Sequence, residues 1–94
     1  MRYRVLTIGP DVELLTTRQA LLASRGYDSV IATPEDFEEA LRSGSFDLVI
    51  LSATLTQEER YHIQARLPAN TRCLVLEALV WPGELAGIVA EALG

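Results

Sequence analysis

Short apolar runs alternate along this chain with longer stretches in which apolar residues return every three or four positions. Val5, Leu6 and Ile8 lie in a first such run, residues 3–8, and Gly9-Pro10 stops it, which predicts a strand. Asp11 then offers an N-cap and Glu13 a first-turn acid. Leu14, Leu15, Leu21 and Leu22 keep helical spacing to about residue 24, where Gly26 supplies a left-handed stop. Residues 29–32 read as a second strand. Thr33-Pro34-Glu35-Asp36 reads as a helix start, with Phe37, Ala40 and Leu41 on the apolar face and Gly44 at the end.

The next run, Leu48-Val49-Ile50-Leu51, does not alternate, so both of its faces are expected to be covered. It predicts the central strand of a parallel sheet, with Ser52 at the carboxyl end where such sheets place their crevice. Thr56-Gln57-Glu58-Glu59 has the form of a capping box and opens a third helix to about residue 67. Ile63 and Leu67 supply its core side, with Tyr61 in part. After Pro68-Ala69-Asn70, residues 72–76 form a fourth strand, and Pro82-Gly83-Glu84 opens a last helix to residue 93. Strands alternating with helices predict one α/β domain over residues 1–94, with right-handed crossovers.

Composition narrows the possible functions. A 49% hydrophobic content suits a sheet buried on both faces and raises the prospect of apolar surface meeting a partner. A net charge of −5 argues against nucleic acid, which requires a basic patch. The cations are all arginine; there is no lysine. Cys73 stands alone, so neither a disulfide framework nor a thiolate cluster is expected, and no cofactor or metal is indicated. The opening apolar run is too short for a signal peptide and no run reaches membrane-spanning length, so a cytoplasmic protein away from the membrane is expected. A start at Met and an end just past a helix fit a complete short protein better than a fragment of a longer regulator.

The helix-end phrase Ser24-Arg25-Gly26-Tyr27 and the run Phe46-Asp47-Leu48-Val49-Ile50-Leu51, with the spacing between them, resemble the receiver domain of bacterial two-component response regulators. The resemblance covers roughly the first two-thirds of the chain. It implies a flavodoxin-like, three-layer α/β/α fold with strand order 2-1-3-4. It also implies a phosphorylation site from which nearly every part is missing. The acidic pair that holds Mg²⁺ after the first strand is replaced by Gly9 and Pro10, with Asp11 the only acid nearby. Ser52 stands for the phospho-accepting aspartate and Glu77 for the switch hydroxyl. Trp81 precedes the only proline, Pro82, comparable to the one that follows the phosphate-pairing lysine. Phosphoryl transfer to a carboxylate needs a metal to neutralise charge, and a serine hydroxyl is a weak nucleophile without a base. The resemblance therefore implies a pseudo-receiver that is not phosphorylated.

Only five residues separate Leu76 from Pro82, where a receiver would place a helix and a fifth strand. The fourth strand then lies at the sheet's edge, and an apolar edge invites pairing with another chain. The candidate interface comprises Cys73, Val75, Leu79, Val80, Trp81, Gly83 and Gly87. Trp81 is the aromatic anchor, and Gly83, Ala86, Gly87 and Ala90 form a small-residue face that equally suits packing on the chain's own sheet. Cys73 is expected to be a buried structural cysteine, with Arg72 beside it as a possible activator. His62 is expected to be exposed beside Tyr61. A tight turn with an N-cap accounts for Gly9-Pro10-Asp11 better than an anion cradle does, since Pro10 lacks an amide. The function expected is a non-catalytic protein–protein interaction module, homodimeric through the fourth-strand edge and last helix, in bacterial signalling. The alternative is a small α/β enzyme or anion-binding domain using Asp11, Ser52 and Glu77.

Overall fold

Strands and helices alternate throughout the computed structural model, which describes residues 2–78 and 80–94. The order is β1 (Arg4–Ile8), α1 (Val12–Ser24), β2 (Asp28–Ala32), α2 (Phe37–Arg42), β3 (Leu48–Leu51), α3 (Gln57–Arg66), β4 (Arg72–Val75) and α4 (Pro82–Leu93). The local signals act much as their chemistry requires. Asp11 Oδ1 accepts the amides of Glu13 and Leu14 at 3.1 and 3.3 Å, taking up two of the free N–H groups of α1. Gly26, at φ +91°, turns the chain out of α1 in a conformation that other residues rarely adopt. Thr56 and Glu59 exchange side-chain and backbone hydrogen bonds in a complete capping box at α3.

One helix start differs from expectation. Asp36 Oδ1 accepts from both the amide and the hydroxyl of Thr33, at 2.6 and 3.1 Å, closing residues 33–36 into a turn. The helix therefore begins only at Phe37 and lasts six residues. Local side-chain bonding outcompetes the helical continuation that Pro34 would allow.

All four strands are parallel, in the order β2-β1-β3-β4. The α/β class and the 2-1-3-4 order expected from the sequence are what is found. Successive side chains of β3 serve opposite faces, and the whole strand is buried. Val49 and Leu51 join Leu6, Ile8, Phe37 and Ile63 beneath α2 and α3. Leu48 and Ile50 join Val5, Leu22, Leu85 and Val89 beneath α1 and α4. The result is three layers with a core on each side of the sheet. Tyr61 departs from its expected partial core role and is 65% exposed. Two residues along a helix is a rotation of about 200°, so with Ile63 facing the sheet Tyr61 must face away.

The described residues contain no fifth strand: β4 lies at one edge, and the chain passes from it directly to α4. None of the described helices is long and apolar enough to cross a membrane.

Candidate functional site

The direction of sheet growth reverses between β1 and β3, and this switch point is where an open parallel sheet forms its crevice. Register places Ile8 beside Leu51, so Gly9 and Ser52 emerge side by side. The approach is so close that a Cβ on Gly9 would lie 2.4 Å from Ser52 Oγ. From the helix side, Arg18 of α1 closes what space is left. Its Nη1 donates to Ser52 Oγ at 2.8 Å, and both residues are only 2% exposed. Among the described residues, Arg18 Nη2 has no hydrogen-bond partner and no ion pair within 4 Å neutralises the group. Burial pulls the guanidinium below its ordinary pKa, while the negative charge of Asp11 opposes the shift. Such a group nevertheless stays cationic at neutral pH.

The crevice is thus occupied by the chain itself. Ser52, expected at an open strand end, is inaccessible, and its hydroxyl serves as acceptor to a cation rather than facing a base. Asp11 is committed to its helix cap, and Pro10 has no amide to offer. Glu77 is exposed in the turn after β4, and among the described residues no hydrogen bond joins it to Ser52. A Mg²⁺ ion does not fit these residues: Asp11 Oδ1 caps α1, and the Arg18 cation faces the same place. Among the described residues, no three His, Cys, Asp or Glu side chains converge to hold a metal. A shallow depression of about 190 Å³ lies to one side, lined by Pro10, Thr33, Pro34, Glu35 and Glu59. Two acids and two prolines make it a poor host for an anion.

Arg18 is the residue that sequence reasoning missed. A signal was present, because Arg18 follows Leu15 by three positions and precedes Leu22 by four, on the buried stripe of α1. An arginine on such a stripe is ordinarily read as reaching out to water.

The other candidate region is the β4 edge. Leu74 and Leu76 point to the α1–α4 face, and Val75 to the α2–α3 face. Cys73 is exposed, contrary to the buried role expected, because it lies on the outermost strand, where Gln64 reaches over it with its Nε2 3.9 Å from the sulfur. Partial desolvation against the sheet raises the thiol's pKa above its ordinary value, and the Gln64 contact opposes this. Arg72 does not activate it. Its guanidinium lies on the opposite face and donates to the Ala92 carbonyl near the end of α4.

Beyond the edge, Val80 packs on the α1–α4 core, and Trp81 is 77% exposed. Leu79 lies outside the described residues. Ala86 is buried, whereas Gly83, Gly87 and Ala90 are exposed, and a Cβ on either glycine would touch nothing. Packing on the chain's own sheet therefore does not account for these two glycines.

His62 stands edge-on to Phe37 at 5.6 Å and joins Glu38 and Arg66 in an exposed cluster tying α3 to α2. It is exposed as expected, but its partners are on α2 as well as its own helix. Comparison of the chain with family models, with curated proteins and with solved structures returned no match.

Proposed function

We propose that the chain is a non-phosphorylatable pseudo-receiver, a protein–protein interaction module of bacterial cytoplasmic signalling that associates with itself through the β4 edge, the segment 79–81 and α4. The observation that carries the reading is the pairing of Arg18 with Ser52. The place where a flavodoxin-like sheet would bind and react is filled by a buried cation, while surface chemistry is left to the edge and to Trp81. A site closed in this way gains nothing from Mg²⁺ and offers no nucleophile to a phosphoryl donor. Edge strands and exposed aromatic anchors are recurrent elements of association surfaces.

Two measurements test the proposal. Incubation with acetyl phosphate and Mg²⁺, followed by intact mass, is expected to leave the chain unmodified; a phosphoryl adduct on Ser52 or Asp11 overturns the reading. Sedimentation over a concentration series is expected to show a monomer–dimer equilibrium, shifted towards monomer by Trp81→Glu.

A further inference from the structure

The β4 edge carries a second, more specific conclusion, which rests on the reading of the chain as a self-associating module. The Leu76 amide donates to the Leu51 carbonyl at 3.0 Å. Peptide groups alternate in direction along a strand, so Arg72, Leu74 and Leu76 turn their backbone groups towards β3. Cys73 and Val75 turn theirs outward. No backbone bond outside the sheet ladder takes up either residue's groups among the described residues. Two donors and two acceptors are thus presented along one short edge.

We infer that this edge pairs with the same edge of a second copy, antiparallel, with Cys73 opposite the partner's Val75 and the two copies of Leu74 facing each other at the two-fold axis. Symmetry and the use of every outward hydrogen-bonding group together select this register. A two-fold axis that joins two sheets edge to edge stands perpendicular to them and keeps corresponding faces together. Residues opposite each other must then share a face, as Cys73 and Val75 do. Pairing these two with each other uses all four outward amides of the two strands together with their four carbonyls. It also leaves Leu74 as the close, non-hydrogen-bonded pair on the α4 face.

Charge selects a second copy in this orientation. At the amino end of the β4 edge the exposed charges are Arg72, with Arg66 and Glu91 in the last turns of the flanking helices, a cationic balance; at the carboxyl end they are Glu77, with Glu58 and Glu84 in the first turns of the same helices. Antiparallel docking sets each cationic end against an acidic one, whereas a parallel arrangement would bring like charges together. Exposed aromatic residues stand on both sides of the strand: Tyr61 beside a depression of about 190 Å³ that reaches Val75, and Trp81 before α4. The joined sheet would be continuous, leaving neither β4 edge open.

The test uses the full chain carrying Cys73→Ser and Leu74→Cys. Non-hydrogen-bonded antiparallel partners have Cα atoms about 4.5 Å apart, within the range a disulfide spans. Mild oxidation is expected to convert this variant to a disulfide-linked dimer, while the unaltered chain, with Cys73 opposite the partner's Val75, stays uncrosslinked. Val75→Pro removes an outward amide and leaves the β3 ladder intact; with two bonds lost per dimer, dissociation is expected to rise about tenfold or more at unchanged circular dichroism. A dimer by sedimentation that neither crosslinks through Leu74→Cys nor weakens with Val75→Pro overturns the edge pairing and leaves self-association standing. A monomer at every concentration overturns both, as does saturable capture of an unrelated extended peptide by a chain that remains monomeric.

Discussion

The switch point between β1 and β3 and the outer edge of β4 are both places where a parallel sheet offers unspent chemistry, and the chain treats them oppositely. At the switch point, strand ends, a helix N-terminus and a hydroxyl converge, and all are satisfied from within by Asp11, Gly9 and Arg18. At the edge, backbone groups, a thiol and two aromatic rings face outward. The difference shows that a crevice position alone does not make a site. Accessibility and an uncommitted polar group are both required, and only the edge has them.

Substitutions can sharpen that contrast. The largest effect is expected from truncating the shared interior: Ile50→Ala should cost about 3–4 kcal/mol in urea unfolding, against about 1 kcal/mol or less for the half-buried Val75→Ala measured on the monomer. Gly9→Ala comes next, at roughly 2–3 kcal/mol, because its new methyl meets Ser52 Oγ and Cβ. Pairing it with Ser52→Gly should restore more stability than pairing it with Ser52→Ala, since only glycine removes both clashing atoms. Equal rescue by the two would break the steric account.

The third expectation concerns Arg18. Ser52→Ala alone removes the guanidinium's one acceptor among the described residues and should cost about 1–2 kcal/mol, whereas the double change Arg18→Met/Ser52→Ala should come within about 1 kcal/mol of the parent, or exceed it. Additive losses in the double variant would mean that a partner other than Ser52 compensates the cation. The smallest effect belongs to Cys73. Its folded pKa is raised, so its contribution to stability is present below the ordinary thiol pKa and declines as pH rises through the folded value. Alkylation by iodoacetamide should correspondingly reach half-maximal rate at a higher pH in the folded chain than in urea.

Much of this architecture was legible before any coordinates. The non-alternating run 48–51 announced a strand covered on both faces, and the capping box at Thr56 and the stop at Gly26 stand where local chemistry put them. The start of α2 was not legible, because Thr33-Pro34-Glu35-Asp36 suits both a helix start and a side-chain-closed turn, and the residue types do not say that Asp36 bonds back to Thr33. Cys73 was misread because apolar neighbours suggest burial, yet it stands on the outermost strand with a helix glutamine reaching over it. Arg18 was missed for the reverse reason: its charge masked its place on the buried stripe. The open edge was readable from the short connection after Leu76, while the direction of its free amides depended on the register with β3.

Arg18 also sets an order on assembly. It and Ser52 are separated by 34 residues, so the bond between them cannot form while β1, α1 and β2 associate locally. Until β3 arrives, the guanidinium keeps its water; when β3 docks, that water must leave, and the burial of residues 48–51 supplies the driving force. Desolvation of one charge is thereby postponed to the step that inserts the sheet's central strand. A collapsed chain that left the strand out would keep the charge wet and the core incomplete.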